Sequence, residues 1–193
     1  MEQDKATIES VRQALGQRSL ALVGLMGCGK SSIGKRLAIR LGLPFVDADE
    51  EIERVAQKSI TEIFQEHGEA FFRDRECKVI TRLLAAGPQV LATGGGAFMM
   101  AETRDRIRGT GLSIWLRAEL PVLMRRVSKR DTRPLLKGGD AEAVMRSLMD
   151  ARYPVYAEAD ITIESRDVPH EAIVGEIIAA VAKHLALAQP API

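Results

Sequence analysis

Two cysteines, no long apolar run and no surplus of either charge leave this 193-residue chain with little that points to a membrane, a nucleic acid or an oxidising compartment. Cys28 and Cys77 make neither a disulfide framework nor a metal-binding spacing, and both thiols are expected to be reduced. Lysine plus arginine number 27 against 26 aspartates and glutamates, a net charge of +1 that gives no reason to expect nucleic acid or an anionic membrane as a partner. Every apolar run falls far short of the ~20 residues that a membrane helix needs. The opening Met1-Glu2-Gln3-Asp4-Lys5 is too polar for a signal peptide. The expectation is a cytoplasmic chain acting on small molecules, without repeats or low-complexity segments. Its length suits one domain with one core, burying about 70% of the unfolded surface.

What is present is organised around residues 19–41. Ser19-Leu20-Ala21-Leu22-Val23 is a short apolar run bounded by turn signals, the pattern of a strand buried on both faces of a parallel sheet. The chain continues Gly24-Leu25-Met26-Gly27-Cys28-Gly29-Lys30-Ser31-Ser32, then Ile33, Leu37 and Leu41 recur at helical spacing. Strand, glycine-rich loop and helix in this order form a phosphate-binding loop, or P-loop. Glycines at 24, 27 and 29 let backbone N–H groups converge on one anion, and the helix adds its unpaired amides and the positive end of its dipole. Lys30 is placed to reach the β- and γ-phosphates, and the Ser31 hydroxyl to ligate Mg²⁺. Cys28 reads as a small loop filler; the alternative is a thiol of lowered pKa at a helix N-terminus.

Residues 1–18 carry Ile8, Val11 and Leu15 at helical spacing and are treated as an extension, free to be mobile. Residues 19–187 form the single domain and 188–193 a tail. Gly42 caps the loop helix, and Pro44-Phe45-Val46 makes a second strand ending in Asp47-Ala48-Asp49, two carboxylates on the edge where open α/β sheets bind ligands. Asp47 and Asp49 are also consistent with a simple helix start, but a magnesium nucleotide needs acidic partners nearby. Ser59-Ile60-Thr61-Glu62 is a capping box; Gly68 should break the helix it opens, and Ala70 to Ala86 should resume it. Inside that block stand Arg73, Arg75 and Glu76, and spacing alone does not say which arginine is functional.

Gln89 to Thr93 is a third strand, followed at once by Gly94-Gly95-Gly96, which permits close approach to a ligand, or else a floppy turn. No acidic residue ends this strand, so Asp47 is the stand-in for the usual magnesium-holding aspartate. A helix over 99–108, a strand over Leu112–Leu116 with Trp115 as core, and a helix from Glu119 to Val127 come next. Ser128 to Asp140 is basic and broken by Pro134, Gly138 and Gly139, a lid able to bring Arg133 over the phosphates or a solvated loop. Asp140 to Ala157 is helical but broken late by Pro154, Asp160 to Glu164 is the fifth strand, and Asp167 with Pro169 starts a last helix. Five strands alternating with helices predict a three-layer α/β/α sandwich on a parallel sheet.

Taken together, Gly24 to Ser32, Asp47-Ala48-Asp49, Phe72-Arg73-x-x-Glu76, Gly94-Gly95-Gly96, Arg133-Pro134-Leu135-Leu136 and Arg152-Tyr153-Pro154-x-Tyr156 resemble the shikimate kinase family, over nearly the whole chain from Leu20. The resemblance implies a P-loop fold like that of the nucleoside-monophosphate kinases, sheet order 2-3-1-4-5, and transfer of the ATP γ-phosphate to the 3-hydroxyl of shikimate in aromatic amino-acid biosynthesis. It further implies a substrate region over about 47–87 and a lid over about 128–140. By position, Gly27, Cys28, Gly29, Lys30, Ser31 and Ser32 would bind the nucleotide, and Arg126 would lie against the adenine. Asp47 and Ser31 would hold Mg²⁺. Asp49 would bind the shikimate hydroxyls and act as base, Arg73 and Arg152 would clamp its carboxylate, Gly94 to Gly96 would offer backbone donors, and Arg133 would reach the transferring phosphate. A monomer is expected. Rival readings are a kinase for gluconate or a nucleoside monophosphate, and a nucleotide switch with no acceptor.

Overall fold

The computed structural model describes residues 2–128 and 140–187. In chain order the elements are α1 (Glu2–Leu15), β1 (Ser19–Val23), α2 (Lys30–Leu41), β2 (Phe45–Asp47), α3 (Ala48–Ala56), α4 (Ile60–Ala85) and β3 (Val90–Ala92). After them come α5 (Ala101–Thr110), β4 (Gly111–Arg117), α6 (Leu120–Val127), α7 (Ala141–Tyr156), β5 (Ile161–Glu164) and α8 (His170–Leu187).

The strands form one sheet in the order β2-β3-β1-β4-β5, with all pairs parallel. β1 is central, with Leu20 opposite Val90 on one side and Leu112 on the other, and all five of its residues are buried. A strand covered on both faces has no use for polar alternation, which is why its run is uninterrupted. Helices α1, α2 and α8 pack together, as do α3, α4 and α5. In α2 the apolar face of Ile33, Leu37 and Leu41 turns into the core, while Gly34 gives the room that brings Phe45 and Leu22 against the helix.

Local signals fixed the element ends. Gly42, at φ 62°, closes α2 by donating its N–H to the carbonyls of the last turn. Ser59 accepts from the Glu62 amide and Glu62 returns the bond to Ser59 N–H, the reciprocal capping box that starts α4. Gly68, at φ 78° and ψ 176°, kinks α4 where a break was expected, and the helix resumes beyond it.

One expectation is corrected. Pro154 does not break α7, which runs on to Tyr156. The proline stands in the last turn, where it forfeits little of the ladder, and the hydroxyls of Tyr153 and Tyr156 tie that turn to Ala118 and Gly95 carbonyls. The helix expected in residues 1–18 forms, and it is docked. Val11 and Leu15 of α1 are buried in the same core cluster as β1, and α1 lies against α8.

Candidate active site

The carboxyl ends of β1, β2 and β3 open into a cavity of about 670 Å³. Its wall includes Gly27, Gly29, Lys30, Ser31 and Ser32 from the P-loop, Asp47 and Asp49 from the end of β2, and Gly94, Gly95 and Gly96 after β3. Arg73 of α4, Arg126 of α6 and Arg152 of α7 complete it. Residues far apart in sequence thus meet because a parallel sheet delivers all its strand ends to one edge.

The loop reaches this edge through positive φ. Gly29, at φ 101°, is the residue before α2 and needs the left-handed conformation. Lys30 Nζ lies over the loop, donating to the carbonyls of Gly24 at 2.8 Å and Leu25 at 3.0 Å. Ser31 Oγ donates to Asp47 Oδ2 at 2.6 Å, so the hydroxyl and the carboxylate stand side by side at the cavity. Asp47 also caps α3 by accepting the Asp49 N–H at 3.1 Å. The two readings of Asp47-Ala48-Asp49 are therefore compatible: capping α3 turns the Asp49 side chain into the cavity.

Asp49 is half-buried, and its desolvation foremost, then the neighbouring Asp47, raises its pKa above the ordinary aspartate value; Lys30 pulls the other way. Glu76 is 1% exposed and its Oε2 accepts from Arg73 Nη1 at 2.7 Å, while its Oε1 has no partner. Burial raises its pKa as well, against the pull of Arg73. A Cβ at Gly94 would collide with Glu76 Oε1 and lie 2.7 Å from Asp49 Oδ1, and one at Gly96 would strike the Arg73 guanidinium. The glycine run is thus a close-packed edge between two carboxylates and an arginine, and the floppy-turn alternative falls. Arg152 approaches the same loop from the other side, donating to Gly95 O at 3.0 Å.

Among the three arginines expected from sequence within the described residues, all line the cavity. The choice between Arg73 and Arg75 resolves: Arg73 faces the glycines, whereas Arg75 lies on the outer side over the Phe71 ring, 4.8 Å from its centroid. Arg126 is held by Ser165 Oγ at 2.9 Å and by the Arg166 carbonyl at 2.6 Å, with a longer bond to Gly27 O at 3.4 Å. Trp115 is core, in edge contact with Tyr153.

The Cys28 side chain is 1% exposed and absent from the cavity wall, and its N–H is directed to the Leu25 carbonyl at 3.3 Å. A cysteine there fills the space beneath the loop, beside Gly24. Arg133 and the rest of the lid, with Pro134, Leu135 and Leu136, lie outside the described residues.

Sequence reasoning placed Glu76 and Tyr156 in motifs without giving them a role, and it missed Ser165 and His170. Glu76 had a signal, its spacing of three from Arg73, but that spacing equally fits a surface pair. Tyr156 donates to the Gly95 carbonyl, and Ser165 Oγ ties the Cys28 carbonyl to Arg126. His170 lines the cavity at the start of α8, its pKa lowered by burial and then by Arg36 and Arg126. No sequence pattern says what Tyr156, Ser165 and His170 do, because each acts across the fold.

Residues 26–182 match the family model described as shikimate kinase. A shikimate kinase of Rhodopseudomonas palustris is 59% identical over 179 residues, spanning 93% of this chain and 88% of that one. One of Bradyrhizobium diazoefficiens is 58% identical over 175 residues, 91% of this chain and 84% of its own. Among solved structures, shikimate kinase from Acinetobacter baumannii in complex with shikimate superposes with a TM-score of 0.83 at 35% identity, covering 89% of this chain and 97% of that one.

Proposed function

Since this chain belongs to the shikimate kinase family, an ATP-dependent kinase acting on shikimate, we propose how its cavity divides the labour of that transfer. The single observation that carries the proposal is the convergence of Arg73 from α4 and Arg152 from α7 on the glycine run, beside Asp49 and opposite the P-loop.

Shikimate is a small polyol bearing one carboxylate. Planar guanidinium groups grip a carboxylate with paired hydrogen bonds, which an ammonium cannot do, so Arg73 and Arg152 hold the acid end. Glu76 keeps Arg73 in place; its buried ion pair fixes the direction of the fork. Asp49 accepts the acceptor hydroxyl. As the 3-hydroxyl oxygen bonds to the γ-phosphorus, its proton passes to the Asp49 carboxylate and the bond to the β-γ bridging oxygen breaks, giving shikimate 3-phosphate and ADP. A raised pKa suits this carboxylate to take up a proton as bonding proceeds.

Gly27, Gly29, Lys30, Ser31 and Ser32 bind the phosphates, and Lys30 leaves its loop carbonyls to meet the charge on the β- and γ-phosphates. Arg126 borders the base, and Arg133 comes from the lid to the transferring phosphate. For Mg²⁺, the described residues contain no group of three or more acidic, histidine or cysteine ligands. The Ser31–Asp47 pair fits a cation that keeps most of its water and arrives on the nucleotide, since magnesium is commonly held by one or two protein groups plus phosphate oxygens. When bound, the ion would neutralise phosphate charge. Residues 19–187 are taken as the catalytic unit, working as a monomer in the cytoplasm; no helix of the described residues is long and apolar enough to cross a membrane.

The test is ADP release with shikimate, gluconate and nucleoside monophosphates as acceptors. Turnover with shikimate alone is expected. Equal turnover with gluconate would mean that the two arginines do not select for the carboxylate ring.

A further inference from the structure

A second cavity of about 450 Å³ lies between α3 and the outer side of α4, away from the P-loop. Its floor is apolar, with Ile52, Val55, Ile63, Phe71 and Phe72. Its rim is Lys58, His67, Arg75, Lys78 and Arg82, and among the described residues no carboxylate lines it. The carboxylates that pair with the rim, among them Asp74 with Lys78 and Glu51 with Arg82, stand outside it, and the rim side chains remain about half-exposed. Of the five large apolar side chains exposed among the described residues, Val55 and Phe71 border this groove. Phe71 is already sandwiched in character, with the His67 ring 4.5 Å away and the Arg75 guanidinium 4.8 Å from its centroid.

An apolar floor, a cationic rim and an exposed aromatic ring together fit one ligand chemistry. The volume is that of a small-molecule site, about 300–1,000 Å³. A flat apolar body buries Val55 and Phe71, and an anionic group on that body competes with Asp74 for Arg75 and Lys78.

We propose that this groove binds a small aromatic carboxylate, and that its occupancy is felt at the acceptor side of the active site. Phe72 carries the coupling, because it lines both cavities and is followed directly by Arg73. Ile52, Ile63 and Phe72 form a small buried cluster separate from the main core. A ligand that packs against this cluster braces α4 and the fork that Arg73 presents. The coupling half of the proposal rests on the roles given above to Arg73 and shikimate; the binding half does not.

The probe is anilinonaphthalene sulfonate, titrated into the full chain saturated with ADP, magnesium and shikimate so that the active site is filled. Saturable fluorescence at one site is expected, displaced by naphthoate and more weakly by the uncharged naphthalenemethanol. The double variant Arg75→Glu/Lys78→Glu should weaken both anions about tenfold, the sum of two exposed charge contacts, while its kcat without naphthoate stays unchanged. Naphthoate should lower the KM for shikimate by about twofold or more in the parent and leave that for ATP alone. Absence of saturable binding, equal affinity in the double variant, or a dimer in sedimentation that hides the groove would overturn the site. Competition with shikimate, or an unchanged KM, would overturn the coupling even if shikimate turnover is normal.

Discussion

The phosphate-binding half of the active site and its acceptor half differ in what stands behind them. Beneath the P-loop lie Leu22, Leu25, Cys28 and Ile33, each at most 1% exposed and all part of the main core around β1. Behind the edge of the acceptor half where α3 meets the start of α4 lie Ile52, Ile63 and Phe72, with Ile60, Phe64 and Val79 only partly buried, and α4 is kinked at Gly68, while the later part of α4, the glycine run and α7 rest on the main core. Amides that must hold a triphosphate in one geometry are built on the best-packed part of the molecule. The side that must admit and release a substrate is built on the least. Local stability follows buried apolar contact, so the acceptor half is the one able to open without unfolding the sheet.

The sharpest way to break that comparison is to cut each foundation in turn. Leu22→Ala should cost about 2–5 kcal/mol at the upper end of that range and lower Tm for the whole chain. Ile52→Ala should cost less, near the lower end, because a three-residue cluster beside solvent can collapse. It should raise the KM for shikimate while nucleotide binding holds. Thermal unfolding with and without ADP checks both, and equal losses in the two variants would remove the distinction. Next in size is Asp49→Asn, expected to lower kcat by about 100-fold or more, the scale of general-base effects, with the fold unchanged. Near-parental turnover would take Asp49 out of the proton transfer. Ser59→Ala removes the cap of α4 and should cost about 1 kcal/mol, read as a small drop in Tm with shikimate affinity weakened more than ATP affinity.

The smallest expected effect is on pH. Asp49 must be ionised to accept the proton, and its pKa is raised, so the acid limb of kcat/KM should lie above the titration of an ordinary aspartate. Glu53 contributes to that rise, so Glu53→Gln should move the limb to lower pH. On stability the sign is opposite to activity. A carboxyl whose pKa is raised on folding favours the protonated fold, so the contributions of Asp49 and Glu76 are present at acid pH and fade as pH rises through their folded values.

The two halves also differ in how legible they were. Gly24, Gly27, Gly29, Lys30 and Ser31 could be read directly, because a loop that points its amides inward needs glycine at fixed places and a strand and helix on either side. The same holds for Gly42, Ser59 and Gly68, whose roles are local. The acceptor side was assembled from long-range packing. Arg73 and Arg75 are indistinguishable by spacing, and only the folded helix turns one to Gly96 and the other to Phe71. The family resemblance named Arg73 and Arg152 and carried Glu76 and Tyr156 in its motifs without a role; the fold pairs Glu76 with Arg73, sets Tyr156 on Gly95 and has Ser165 brace Arg126. That α1 docks on the core could not be read from residues 1–18 for the same reason, since burial belongs to the fold and not to the segment.

The central claim is that guanidinium groups from α4 and α7 grip the acceptor's carboxylate while the P-loop acts independently. Its most direct test is steady-state ADP release by the parent and Arg73→Ala chains, with shikimate and with its methyl ester. The account predicts that Arg73→Ala raises the KM for shikimate by about tenfold or more, leaves the KM for ATP within about twofold, and narrows the preference for the acid over the ester. A KM that rises for ATP and not for shikimate, with the preference for the acid intact, would contradict it.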